Sequence, residues 1–134
     1  MPIKTLKVFK EKLSLFTTPF FEATPACLLV MVQGNIWLAT IVHFQNAVET
    51  GLITGVGVFS LSMLKHRWFR NKYVVAAITG GMCSIADFIS HPTHFGSIST
   101  EAIVTGAFTA LISLALNFIG KKLFLHGKDK LTKT

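Results

Sequence analysis

Four side chains able to bind a metal ion or pass a proton crowd into one stretch, ADFISHPTHFGSISTEA, residues 86–102. They are Asp87, His91, His94 and Glu101. His43, from an earlier connection, would join them if the two halves of the chain pack side by side. Histidine nitrogens and carboxylate oxygens suit zinc and related divalent metals, and the same groups relay protons. Pro92 disfavours helical geometry at His91, so the spacing of the two histidines does not put both rings on one helix face. The plainer reading is a polar turn at headgroup level, and the residues do not specify which metal, if any, they would hold. No nucleophile paired with a base, no phosphate-binding glycine loop and no pair of catalytic carboxylates accompanies them. The expectation is therefore no enzyme and no cofactor.

The elements that position these residues follow from composition. Of 134 residues, 51% are hydrophobic and 14% charged, with 12 phenylalanines. A soluble domain carries about 25% charged residues and has a large surface to cover. The chain reads instead as an integral membrane protein whose first partner is the lipid bilayer. Cys27 and Cys83 show no metal-binding or disulfide spacing and read as small core residues.

The net charge is +7, yet its distribution argues against a nucleic-acid partner. All 13 basic residues fall into three groups. The first is Lys4, Lys7, Lys10 and Lys12. The second is Lys65, Arg67, Arg70 and Lys72. The third is Lys121, Lys122, Lys128, Lys130 and Lys133. Each gap between groups has room for two spans of about 20 residues. The expected spans are 26–44, 47–64, 73–90 and 102–119, each of 18 or 19 residues. Lone segments in lipid must satisfy their own backbone bonds, so all four are expected to be helices. Lysine and arginine stay on the cytoplasmic side. That rule puts both termini and the KHRWFRNKY loop, residues 65–73, in the cytoplasm, with Trp68, Phe69 and Tyr73 as interfacial aromatics. Glu49 and Glu101 then sit near helix starts, where the helix dipole favours acids.

The fold class predicted is all-α: an integral membrane four-helix bundle of two hairpins, with an N-terminal amphipathic interfacial helix. That helix is read in PIKTLKVFKEKLSLF, where Ile3, Leu6, Phe9, Leu13 and Phe16 recur at helical spacing among lysines. Pro19 and Pro25 are expected to end it, so residues 1–25 form an arm and turn, 26–119 the membrane domain and 120–134 a basic cytoplasmic tail. The arm does not read as a cleaved signal peptide. An offset of 51 residues superposes His43-Phe44 on His94-Phe95, LITG (52–55) on IVTG (103–106) and Ser62 on Ser113, which suggests a parallel internal repeat of a two-span unit.

Helices in lipid associate through small residues and interhelical hydrogen bonds. Stripes of this kind comprise Gly51 and Gly55 in the second span and Ala76, Gly80, Gly81 and Ser84 in the third. The fourth has Ala102, Gly106, Ala110 and Ser113, beside Thr105 and Thr109. They predict tight packing and leave room for a homo-oligomer. Gln33 is expected to be buried inside the first span, and Asn117 to be interfacial.

In outline, the small size, the marginal spans and the basic tail GKKLFLHGKDKLTKT, 120–134, resemble phage holins. The resemblance implies a bacterial inner-membrane protein that self-associates and permeabilises the membrane, with an endolysin as indirect partner. It assigns no individual residue. Two other expectations stand beside it: a small ion, metal or proton channel or transporter using Asp87, the histidines and Gln33, and a structural subunit of a membrane complex.

Overall fold

The structure is a computed structural model that describes residues 3–90 and 96–131, with side chains for 5–90 and 96–120. It is all-helical. Four helices, α1 (Ile3–Met31), α2 (Ile41–Leu64), α3 (Lys72–Ser90) and α4 (Ile98–Leu131), form the chain, with short 3₁₀ turns at Ile36–Leu38 and His66–Arg70. All four are long and apolar enough to cross a membrane, over Thr5–Met31, Ile41–Leu64, Lys72–Ser90 and Ile98–Gly120. The chain is accordingly read as a multi-pass membrane protein.

The first span differs from the one expected at 26–44. α1 is continuous from Ile3 to Met31 and carries both Pro19 and Pro25 inside it. Each proline removes one backbone donor, but a helix in lipid has no water to receive the rest of its backbone. The chain keeps the remaining bonds and stays helical. Hydroxyls nearby add bonds to other carbonyls of the helix: Thr24 Oγ1 donates to Phe20 O at 2.8 Å and Thr17 Oγ1 to Leu13 O at 3.1 Å. The lysine-rich segment expected to form a separate arm is thus the first half of α1. At roughly 1.5 Å per residue its 29 residues reach about 43 Å, more than the ~30 Å hydrocarbon layer.

Gln33 is likewise not within a span. It is exposed in the turn after α1, with φ of 51°, followed by Gly34 at 78°. Gly34 N donates to Leu29 O at 2.8 Å and Gln33 N to Val30 O at 3.0 Å. This is a Schellman ending with glutamine in the left-handed position usually held by glycine. Asn35 Oδ1 then accepts from Trp37 N, and Thr40 starts α2.

The antiparallel order puts the start of α1, the 65–71 turn and the C-terminal part of α4 at one end of the bundle, called here the basic end. α1 packs chiefly on α2 and α3 on α4; α1–α4 and α2–α3 contacts close the ring. Within the second hairpin the backbones nearly touch. A Cβ on Gly80 would lie 2.6 Å from Gly106 O, and one on Gly106 would lie 2.5 Å from Gly80 O. In the first, Gly55 faces Phe16 O, which would be 2.9 Å from a Cβ. The glycine stripes are therefore used inside the chain. Gly81 alone among the expected packing glycines has open space around it.

The bundle is apolar outside, and inside it mixes small apolar residues with polar ones. Large residues such as Val56, Phe88, Ile89, Ile103 and Leu111 are exposed around its circumference. Threonines, serines and three carboxyl groups are buried. The buried face of α2 is Thr50, Gly51, Thr54, Gly55, Val58 and Ser62 after Ala47; shifted by 51 residues it becomes Glu101, Ala102, Thr105, Gly106, Thr109 and Ser113, all buried in α4.

Two sets of substitutions test this packing. Gln33→Gly relieves the left-handed backbone and raises stability by about 1 kcal/mol in an unfolding titration, the opposite of what removing a buried amide would do. Gly106→Ala lowers stability by about 1–3 kcal/mol through overpacking, whereas Gly81→Ala changes it by less than about 1 kcal/mol in the stabilising direction.

Candidate functional site

Helical periodicity decides what faces the centre. Positions 50, 54 and 58 of α2 and 101, 105, 109 and 113 of α4 fall on one stripe of each helix. Lipid on the outside leaves these polar side chains the interior as their only polar surround. On α4 the stripe from Glu101 to Ser113 runs for roughly 18 Å, more than half the hydrocarbon thickness. α1 contributes Glu22 and Cys27 to the interior, α2 Thr50, Thr54 and Ser62, and α3 Thr79, Cys83 and Asp87.

Some of these groups are satisfied by their own helix. Thr54 Oγ1 donates to Thr50 O at 2.7 Å, Thr79 Oγ1 to Val75 O at 2.9 Å and Thr109 Oγ1 to Thr105 O at 2.8 Å. Other contacts cross between helices. Cys27 Sγ donates to Asp87 Oδ1 at 3.2 Å, tying the first hairpin to the second, and Cys83 Sγ lies 3.1 Å from Thr109 Oγ1, whose own proton goes to Thr105 O, so that the thiol is the donor. The hydroxyls of Thr50, Thr105 and Ser113 are buried without a well-formed hydrogen bond. Ser113 neighbours the Glu22 carboxyl, and Thr50 neighbours the Cys27 thiol.

Glu22 is 2% exposed, yet it lines an open cavity of about 650 Å³ at the basic end. Thr79, Ser113 and Val58 lie in the same wall; Arg70, Asn71, Lys72 and Asn117 line the rest with Leu15, Pro19, Phe69 and Val75. Asn71 Oδ1 accepts from Tyr73 N at 2.9 Å and so starts α3. Lys72 Nζ sits 3.8 Å above the centre of the Phe118 ring and 4.9 Å from that of Tyr73, joining α3 to α4 at the mouth. Polar groups thus extend from this cavity, through Ser113, Thr109 and Thr105, to Asp87 and Glu101 towards the other end.

The expected outer cluster divides differently. Asp87 and Glu101 are both 2% exposed, inside the bundle instead of at its surface. His43 is half-buried in the first turn of α2, where Thr40 N donates to its Nδ1 at 3.0 Å and His43 N donates to Thr40 Oγ1 at 3.4 Å. Its place is a capping box. His91 and His94 lie outside the described residues. Among the described residues no three of His, Cys, Asp and Glu converge to hold a metal ion. Of the expected anchoring residues, Lys7, Lys10, Lys65, Arg67, Trp68 and Arg70 are exposed, and Lys65 Nζ lies 5.9 Å from the centre of the Trp68 ring. The side chains of Lys4, Lys121 and Lys122 fall outside the described ones.

Glu22 is the residue sequence reasoning missed. Flanked by Pro19 and Pro25, it reads as part of a turn. The signal that finds it is the apolar window of Thr5–Met31, which makes it an intramembrane acid once the prolines are allowed inside a helix. Thr54 carried a signal too: under the 51-residue offset it falls on Thr105, while Thr50 falls on Glu101.

An unsatisfied buried hydroxyl costs about 1–3 kcal/mol. Thr50→Val and Thr105→Val, which keep the shape, are therefore expected to leave stability unchanged or raise it in thermal unfolding, whereas Thr109→Val, which breaks the bond to Cys83, lowers it by about 1 kcal/mol. Comparisons with protein-family models, with curated proteins and with solved structures find no match to the chain.

Proposed function

We propose that the chain is a small multi-pass transporter that passes a positively charged group through the bundle interior. The group is either a free cation, the proton included, or the ammonium of a larger solute. The observation that supports this reading most directly is Glu22: a carboxyl deep in the first span that forms part of an open cavity wall. An acid inside a span is costly to keep there and marks ion and proton pathways. Asp87 and Glu101 place two further acids beyond it, with hydroxyl and thiol groups between.

In this reading the basic end faces the cytoplasm, because its lysines and arginines follow the positive-inside rule. The correspondence of buried positions in α2 and α4 fits a duplicated hairpin, and parallel repeats of that kind build transporter halves. Permeabilisation of the holin type would draw on small-residue stripes for self-association. Gly51, Gly55, Gly80 and Gly106 are instead packed against their own chain, which favours transport over lesion formation.

The test is flux into proteoliposomes made with the purified chain, followed for protons, sodium, potassium and methylammonium in turn. At least one of these cations is expected to cross faster than in empty vesicles. Glu22→Gln and Asp87→Asn should each cut that flux about tenfold or more, a change of roughly 1.4 kcal/mol in barrier, and Gly81→Ala should not. Passage of large dyes together with ions would replace this reading with permeabilisation, and no flux of any cation would remove it.

A further inference from the structure

Glu22 and Arg70 line the same cavity with opposite charges, yet they do not pair with each other. The Glu22 carboxyl neighbours the Ser113 hydroxyl, itself without a well-formed bond, and Thr18 and Thr79 line the same cavity. Arg70 is exposed at the mouth, and no acid of the described residues pairs with it. The second cation at the mouth, Lys72, is held over Phe118. A buried acid and an arginine facing one space, separated by more than a salt-bridge distance, leave a gap that one molecule with both charges can bridge. The rest of the wall is mixed, with Leu15, Phe69 and Val75 beside Thr18, Thr79 and Asn117. The volume of about 650 Å³ lies within the ~300–1,000 Å³ usual for small-molecule sites.

We infer that the cavity at the basic end is a binding site for a small zwitterion, its ammonium directed to Glu22 and Ser113 and its acidic group to Arg70. Guanidinium geometry suits either a carboxylate or a phosphate, since it presents paired donors to both. The shared chemistry, an ammonium on a short linker to an acid, therefore has two sources: a free amino acid with an apolar side chain, or the headgroup of an ethanolamine phospholipid. This inference rests on the transport reading for its purpose, but the site is defined by binding alone.

The experiment uses the full chain in nanodiscs of phosphatidylglycerol, which carries no ammonium. Leucine is titrated into one sample, and phosphatidylethanolamine replaces part of the lipid in another. The readout is the thermal unfolding midpoint by tryptophan fluorescence. One of the two zwitterions should raise the midpoint saturably, and which one does identifies the source. Methylammonium and acetate, each alone, should bind about tenfold more weakly or less. Glu22→Gln and Arg70→Ala should each weaken the effect about tenfold; Arg70 is exposed, so its variant keeps the fold if the Glu22 variant does not. The inference is overturned if neither zwitterion shifts the midpoint, if methylammonium alone does as well as either, or if Arg70→Ala leaves the shift intact. Binding without flux would remove the transport reading and leave the site; flux without binding would do the reverse.

Discussion

A hydroxyl or carboxyl on a helix surrounded by hydrocarbon has to find its polar company in the interior, and this bundle is arranged around that constraint. In a soluble four-helix bundle the packed seam is leucine and isoleucine, and water takes the polar groups. Here the outer surface carries phenylalanine, valine and isoleucine, and the seam carries threonine, serine, cysteine and acid among alanines and a few larger apolar residues. Small residues let the seam close. Where Gly80 and Gly106 bring two backbones almost into contact, helices gain the dispersion and hydrogen bonding that replace the hydrophobic drive between them. The polar interior and the close packing are two aspects of one solution.

That solution also sets a cost. Hydroxyls that bond to the carbonyl four residues back, such as Thr54 and Thr79, are settled within their own helix. Thr50, Thr105 and Ser113 are not, and valine would fill the same space without the penalty. Groups kept at a loss in stability are candidates for function, and these three lie among the acids. The bond from Cys27 to Asp87 gives one acid a fixed partner across the hairpins, while Glu22 stays open to the cavity.

Much of this was legible in the residues. The composition and the long stretches without lysine or arginine pointed to four apolar helices, and the structure has four that are long and apolar enough to span. The glycine stripes pointed to the faces that pack. The first span was misplaced because proline and glutamine carry soluble-protein meanings. Pro25 reads as a stop, and Gln33 between apolar runs reads as a buried amide. The structure reverses both, since α1 runs through the prolines and ends at a turn made by Gln33 and Gly34. With α1 displaced, Glu22 moved from a turn to the middle of a helix. The interior position of Asp87 followed from neither composition nor spacing, because it lies where α3 meets α1, beside Cys27, 60 residues away in sequence.

The two prolines of α1 have a mechanical meaning as well. α3 is a single helix without an internal proline, and it meets α4 glycine against glycine. α1 has two breaks in its ladder, at Pro19 and Pro25, with Glu22 set between them. Bending is cheapest where a backbone bond is already missing. The acid therefore rides on the most compliant segment of the bundle, and a modest flexure there would swing it relative to a fixed wall, an arm working against a stator.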